Sequence, residues 1–468
     1  MITLIKFAVN CMMKSENGRF ISMKVVGLVT EYNPFHNGHK YHIEEAKKSS
    51  CADYAIAVMS GDFVQRGAPA VIDKYSRAEM AIKGGADLVL ELPVCYATAS
   101  AEYFALGAVS LLDKLGIVDS LCFGSECGDI SSLKEVAGIL AGTTEEYDKQ
   151  LLSYVKEGLT YPAAREKAIT AYLRSGNASH STDPEQAARV LSSPNNILGM
   201  EYIKAIHSLS SPLRPVTIQR KTAGYHEKEL SQAYPDRGPA GNQAGNQHED
   251  KHSPSPVISS ATAIRTILQS SKEIPGLSPV TASVPDAVYE ILVSDYHKTY
   301  PITWEDFSSI IKYKLLSEDR NLLNGYVDMS GDLADRIKKN SIYACTMEEL
   351  ALRLKTKNLT LTRINRALTH ILLNIRKTSL KQYCQNGYTS YARVLGIKKE
   401  SSHLLRRITD IGRIPVITKV AKAEKQIDPL AMQMLSEDLF AAHLYNQAVY
   451  EKYGTPLPNE YQRGILIV

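Results

Sequence analysis

The chain has no run of apolar residues approaching the ~18 that a membrane-spanning helix needs, so no membrane partner is expected. It has no Cys-x-x-Cys pair either. Its seven cysteines, Cys11, Cys51, Cys95, Cys122, Cys127, Cys345 and Cys384, are scattered and odd in number, which argues against a structural zinc site, a disulfide framework and a disulfide-linked partner. Cys95 and Cys122 lie in or beside strand-like runs and read as small core residues rather than nucleophiles. Charge of one sign is not in large excess: the net charge of +4 does not by itself call for nucleic acid. These absences fit a protein of the reducing cytoplasm. Residues 1–22 lack a long apolar core and a clear small-residue cleavage site. Because Met23 stands directly before the first strand-like run, this leader is expected to be a non-native or disordered extension.

What is present begins with length. At 468 residues, 44% of them apolar, the chain can bury more than one core, and two or three domains are expected. From Lys24 short apolar runs alternate with helix-compatible segments: Val25–Val29, Tyr41–Lys48, Asp53–Met59, Asp73–Lys83, Asp87–Leu92, Ala101–Leu115, Asp119–Phe123. That alternation predicts an α/β fold, a parallel sheet flanked by helices, with ligands beyond the carboxyl ends of the strands. His36, Ser60-Gly61-Asp62 and Gly124-Ser125-Glu126 all emerge there. Ser131 to about Leu209 reads as helical and Pro215–Arg220 as another strand. The segment 227–256, with its repeated Ala-Gly-Asn-Gln, reads as an exposed mobile loop, and the spacing of His248 and His252 is too irregular for a metal site. Past about Pro275 the sheet pattern ends and the rest reads as mostly helical. The expected divisions are 1–22, a nucleotide-binding unit over 23–275, and a basic helical unit over 276–468.

The most informative segment is Glu31-Tyr-Asn-Pro-Phe-His-Asn-Gly-His39, directly after the strand-like Val25-Val-Gly-Leu-Val29. Asn33-Pro34 breaks the strand, Gly38 permits a tight turn, and a helix is expected from Lys40 onward. His36 and His39 therefore stand where free backbone N–H groups and a helix dipole suit a phosphate. Their imidazoles add donors for charge developing on phosphorus. Further on, Ser259-Ser-Ala-Thr-Ala-Ile-Arg265 offers a helix N-cap that can hold phosphates, with Arg265 as a charged clamp.

His36-x-Gly-His39 resembles the signature of the nucleotidyltransferase superfamily that includes class I aminoacyl-tRNA synthetases and small adenylyltransferases. The longer string Gly27 to His39 more closely resembles the bacterial tRNA(Met) cytidine acetate ligases. Met59-Ser-Gly-Asp-Phe-Val-Gln-Arg-Gly67, Asp87-Leu-Val-Leu-Glu-Leu-Pro93 and Ser193-Pro-Asn-Asn-Ile-Leu-Gly199 match the same branch. The resemblance runs from Met23 to roughly Leu268 on specific motifs, and more diffusely beyond. It implies a Rossmann-like parallel-sheet nucleotidyltransferase domain followed by a mostly α-helical domain. It also implies ATP, with Mg2+ bound through the nucleotide and no protein metal cage, and acetate as the acid adenylated. Elongator tRNA(Met) would receive the acetyl group on N4 of its wobble cytidine.

On this resemblance His36 and His39 stabilise the transition state. Val29, Thr30, Glu31, Tyr32, Asn33, Pro34, Phe35, Asn37, Gly38 and His42 cradle the nucleotide. Gly124 admits a close approach of ribose or base, one of Asn195 and Asn196 contacts the nucleotide, and Arg220, Ser260 and Arg265 meet phosphates. Ala261 stands where similar adenylyltransferases carry a second serine, so one hydroxyl contact departs from the pattern. Nothing in the sequence assigns a role to Asp62 or Glu126.

Between Arg353 and Arg407 thirteen lysines and arginines are interrupted by one carboxylate, Glu400, the footprint expected of a nucleic-acid backbone contact. Lys398, Lys399, Arg406 and Arg407 are the expected tRNA-docking residues. Tyr383, Tyr388 and Tyr391 within this run suit either base stacking or the core. A small-molecule adenylyltransferase and a non-catalytic RNA-binding protein with a degenerate nucleotide fold are the rival readings.

Overall fold

The computed structural model describes residues 23–141, 145–159, 161–175, 183–220 and 260–468, together with the backbone of a short antiparallel pair, Met12–Lys14 with Phe20–Ser22. The expected loop 227–256 and the rest of the leader lie outside the described residues.

The predicted alternation is present. Strand β1 (Val25–Thr30) leads to helix α1 (Asn37–Ser50), β2 (Tyr54–Ser60) to α2 (Lys74–Lys83), and β3 (Leu88–Leu92) to α3 (Ala101–Lys114). β4 (Ser120–Ser125) follows. A run of helices ending in α4 (Pro194–Ser208) then leads to the edge strand β5 (Arg214–Gln219). These strands are parallel in the order β3-β2-β1-β4-β5. The order reverses beside β1, so the crevice at its carboxyl end is the topological switch point where such sheets bind ligands.

Pleating decides which residue meets which layer. On β1 and β2, Val25, Ile56 and Val58 face the core shared with α3 and the C-terminal helices. Their neighbours Val26, Ala55 and Ala57 face the core shared with α1, α2 and α5 (Ala261–Ser270). Both faces are covered, and the strands accordingly read as continuous apolar runs.

The sheet does not stop near Pro275. After the helices α6 (Leu361–Leu372) and α7 (Lys377–Gln385), strand β6 (Ala392–Ile397) adds antiparallel to β3. Beyond α8 (His403–Ile411), β7 (Val416–Ile417) pairs with the first half of β6. After the 25-residue α9 (Pro429–Tyr453), β8 (Leu466–Ile467) pairs with its second half. Among the described residues the sheet thus holds eight strands, three of them from the part expected to be helical. Ala392–Ile397 is buried at every position, and only the register against β3 reveals what it covers.

That register sets Arg393 opposite Glu91. Around them lies a buried ionic cluster. Lys74 Nζ is 2.8 Å from Glu91, 3.3 Å from Glu460 and 4.0 Å from Asp62, and Arg393 is 3.3 Å from Glu91 and also pairs with Glu460. Burial pushes the Asp62 carboxyl up to about 7 against the attraction of Lys74 and Arg77. The neighbouring acids instead hold the Lys74 and Arg393 charges in place. Removing one partner of such a set strands the others in low dielectric. Lys74→Met is therefore expected to lower the unfolding free energy by about 3–5 kcal/mol, read as a shift of the denaturant midpoint. Adding Glu91→Gln should recover part of that loss; an unchanged midpoint in Lys74→Met would remove the cluster from the stability of the fold.

Candidate nucleotide site

Helix α1 begins at Asn37, three residues before the expected start, because its N-cap is a histidine. His36 Nδ1 accepts the Gly38 N–H at 3.0 Å, and His39 Nδ1 accepts the His36 N–H at 3.3 Å. This is a capping box built from two imidazoles. Gly38 is thus a residue of the first helical turn, and its N–H is the donor that fixes His36.

An Nδ1 that accepts must be unprotonated, so each ring is held as a neutral tautomer with its proton on Nε2. The rings stack at 3.7 Å and 24°. Burial pushes His36 down to about 3, and the nearby Arg220 and Arg265 guanidinium groups act in the same direction. His39 is lowered well below the ordinary imidazole value by burial, then by His36, His42 and Arg220. His42 falls to about 4, and its buried Nε2 has no hydrogen-bond partner among the described residues.

The loop before the helix is rigid for its own reasons. Tyr32 has φ 46°, a region that large side chains rarely adopt, and is held there by burial, packing edge-on to Phe35 at 4.8 Å and to His39 at 4.9 Å. Asn33 Oδ1 accepts from Val71 N–H at 2.8 Å, Glu31 Oε1 from Gln65 N–H at 3.0 Å, and Asn37 Nδ2 donates to Ala282 O at 2.9 Å. Val29, Thr30, Pro34 and Phe35 complete the end of β1 and the turn.

Two arginines close on this loop from distant segments. Arg265 donates to Asn33 O at 2.8 Å and to Thr262 Oγ1 at 3.0 Å, while Ser260 caps α5 by accepting from Ala263 N–H at 3.2 Å. Arg220 leaves the end of β5 and donates to Asn195 Oδ1 at 3.2 Å. Gly124 lies inside β4 rather than after it, and a Cβ there would sit 3.1 Å from the Arg220 stem. Asn195 and Asn196 divide their work: Asn196 is buried and accepts from the Glu126 and Cys127 N–H groups at 2.9 and 3.2 Å. Asn195 links Glu126, at 2.6 Å, to Arg220. Glu126 in turn accepts the Asn196 N–H at 2.9 Å in the first turn of α4.

The residue that sequence reasoning missed is Arg77. Fully buried, it donates to Ile72 O at 2.9 Å, Glu31 O at 2.7 Å, Ser60 O at 3.0 Å and Gly61 O, and so fastens the ends of β1 and β2 together. A signal existed: Lys74, Arg77, Ala78 and Ala81 share one stripe at helical spacing, and that stripe is buried. A cleft of about 610 Å3 between α1 and β5 shares only Arg220 with the histidine site; Tyr41, Glu45 and Ser49 line its other wall.

A parallel sheet with neutral imidazole donors at its switch point, flanked by arginines from two other segments, defines a nucleotidyltransferase. The HIGH Nucleotidyl Transferase family model matches residues 23–235 and 242–457. The tRNA(Met) cytidine acetate ligase of Acetivibrio thermocellus is 36% identical over 447 residues, covering 95% of this chain and 100% of that one. The protein of the same name from Thermoanaerobacter sp. is 38% identical over 427 residues, covering 91% and 96%. The crystal structure of Thermotoga maritima TmcAL bound with alpha-thio ATP superposes with a TM-score of 0.81 at 30% identity, covering 95% of this chain and 100% of that chain. The chain belongs to the tRNA(Met) cytidine acetate ligase family.

The unfolded chain takes up imidazole protons near 6.5, whereas folded His36 and His42 do so only near 3 and 4. Their contribution to stability is therefore full above 6.5 and is lost as the pH falls below it. Imidazole nitrogen NMR shifts are expected to keep His36 in the neutral Nε2–H pattern, and His42 neutral, from about pH 8 to about pH 5. A protonation step near 6.5 in His36 would contradict the cap geometry, and one in His42 would contradict its burial.

Proposed function

We propose that this protein is an ATP-dependent ligase that adenylates acetate and transfers the acetyl group to N4 of the wobble cytidine of elongator tRNA(Met). The observation that carries the adenylation half is the pair of neutral, Nδ1-anchored imidazoles at the end of β1, with Arg265 and Arg220 beside them. The acceptor and the acid rest on the family to which the chain belongs.

In the first step an acetate oxygen attacks the α-phosphorus of ATP. A phosphorus–oxygen bond forms to the acetate, the bond to the β-phosphate breaks, and pyrophosphate leaves with the electron pair. Such chemistry needs positioning and charge stabilisation rather than a protein nucleophile. The Nε2–H groups of His36 and His39 are preorganised donors for the charge that develops, and their neutrality spares the site two uncompensated positive charges. The capped N-terminus of α1 presents the positive end of its dipole to a phosphate, Arg265 and Ser260 hold the leaving phosphates at the start of α5, and Arg220 and Asn195 approach the nucleotide from the β4–β5 side. The unpartnered His42 Nε2 is a further polar atom suited to a ligand.

Among the described residues no three His, Cys, Asp or Glu side chains gather into a cation site. As in related nucleotidyl transfers, a magnesium ion would enter on the triphosphate, where it would neutralise leaving-group charge. In the second step the cytidine N4 attacks the acetyl carbon, the carbon–oxygen bond to AMP breaks, and an N4 proton passes to solvent. No described helix is long and apolar enough to cross a membrane; the cytoplasmic location belongs to this proposal because its substrate is a tRNA.

His39→Ala is expected to slow acetate-dependent ATP–pyrophosphate exchange about a hundredfold or more while leaving tRNA affinity near that of wild type. Exchange that proceeds equally with and without acetate would instead favour a small-molecule adenylyltransferase. Wild-type exchange in His39→Ala would remove this imidazole from the mechanism.

A further inference from the structure

The basic run Arg353–Arg407 does not form one surface. Several of its cations are consumed internally: Arg353 pairs with Glu349 at 2.7 Å, Arg366 with Asp328 at 2.8 Å, and Arg393 belongs to the buried cluster. Arg376 lies 3.6 Å over the Tyr326 ring. Tyr383 and Tyr391 are buried and bonded to Glu437 and Asp438, so neither is free to stack on a base.

Of the other cations, Arg363, Lys377 and Lys381 lie at one end of the sheet and Lys398, Lys399, Arg406 and Arg407 at the other. Because β6 runs antiparallel to β3, it delivers Lys398 to the end where the parallel strands begin: Lys398 N–H donates to Asp87 O at 2.9 Å, just before β3. The next helix, α8, stays there. His403 packs edge-on to Tyr54, the first residue of β2, at 5.0 Å, and Arg413 N–H donates to Lys114 O, at the C-terminus of α3, at 2.8 Å. Lys398, Lys399, Arg406 and Arg407 thus lie a full strand length, roughly 20 Å, from the end that carries His36 and His39.

Arg363, Lys377 and Lys381 lie at the histidine end. Gly67, in the loop that leaves the carboxyl end of β2, has φ 72°, and a Cβ there would sit 2.2 Å from Arg366 N, so α6 presses on that loop backbone to backbone. Its neighbour Arg66 is exposed and close enough to Arg265 to disfavour that charge. Lys377 and Lys381 on α7 line a cleft of about 580 Å3 with Tyr103 and with Ser100, where α3 begins after the carboxyl end of β3. Asp328 lines the same cleft and is neutralised by Arg366. Arg363, Lys377 and Lys381 are exposed and form no ion pair among the described residues.

We infer that the tRNA backbone docks on the face formed by Arg363, Lys377 and Lys381, at the same end of the sheet as the histidines, and not on the face of Lys398, Lys399, Arg406 and Arg407. The inference rests on the tRNA reading above. Its physical reason is reach: a cytidine that must meet the acyl-adenylate at the end of β1 is delivered most directly by phosphates held at that end. RNA held at the far end would have to pass around the sheet. Fixed cations there add affinity that falls with salt as counterions return.

The test compares R363E/K377E/K381E with K398E/K399E/R406E/R407E in the full-length enzyme. Affinity for elongator tRNA(Met) transcript is measured from about 50 to about 200 mM salt, alongside acetate-dependent pyrophosphate exchange. The triple variant is expected to bind at least tenfold more weakly, with a salt slope shallower by about two, and to exchange as wild type. The quadruple variant should match wild type in both readouts. If the triple reversal impairs exchange through misfolding, the K377Q/K381Q double variant should still weaken binding severalfold. The inference is overturned if the quadruple variant loses binding while the triple or glutamine variants keep it. Wild-type enzyme that exchanges with acetate and binds no tRNA would sink both this face and the RNA half of the function. Wild type that binds tRNA through the triple face without acetate-dependent exchange would leave the face standing and remove the acetate.

Discussion

Two cations one turn apart on α2, Lys74 and Arg77, are buried together, and much of the molecule is arranged to satisfy them. Burying either charge in isolation would be prohibitive, so each must be surrounded by acceptors. Arg77 receives main-chain carbonyls from the ends of β1 and β2, which fixes the frame from which the histidine loop departs. Lys74 receives carboxylates, and these come from places far apart in the chain: Asp62 after β2, Glu91 in β3 and Glu460 near the C-terminus. Satisfying one ammonium thus requires that the last residues of the chain return to the first sheet. Arg393 supplies the second positive charge that three carboxylates in one dry volume demand.

The functional end of the sheet follows the opposite electrostatic rule. Where the cluster pairs full charges, the histidine site keeps its imidazoles neutral and uses their dipoles. Each ring spends Nδ1 on a backbone N–H and is left with a single Nε2–H, so direction and protonation are set by the same bond. The arginines provide the positive potential and come from segments outside the cap. Arg265 rides on α5, and Arg220 follows β5 and is steadied by Asn195 and Glu126. A site of this kind is poised for anionic ligands while adding no charge at the histidines themselves.

Charge density along a sequence and charge density on a surface are different quantities in this protein. The long basic run from Arg353 to Arg407 starts in the helix Met347–Leu354 and passes through α6, α7, a buried antiparallel strand and α8, and each turn of the path sends its side chains somewhere else. Some meet carboxylates that lie outside the run, among them Glu349, Asp328 and Glu460. The strand reversal at β6 sets Lys398, Lys399, Arg406 and Arg407 at the end of the sheet opposite Arg363, Lys377 and Lys381.

The parallel sheet, the order of its first elements and the position of the histidine pair were legible in the sequence because they depend on local signals. Apolar runs of strand length, a breaker at Asn33-Pro34, and donors and acceptors within three residues of each other specify a strand, a turn and a capped helix wherever they occur. Even there the start of α1 was missed by three residues, since an imidazole as N-cap is not part of the usual serine, threonine and aspartate pattern. Tertiary structure alone decided the roles of Asp62 and Glu126, the division of labour between Asn195 and Asn196, the work of Arg77, and the membership of Ala392–Ile397 in the first sheet. Each of these is settled by a partner dozens to hundreds of residues away. A buried charge or an unpaired strand edge states only that a partner is required, and which residue answers depends on how the whole chain closes.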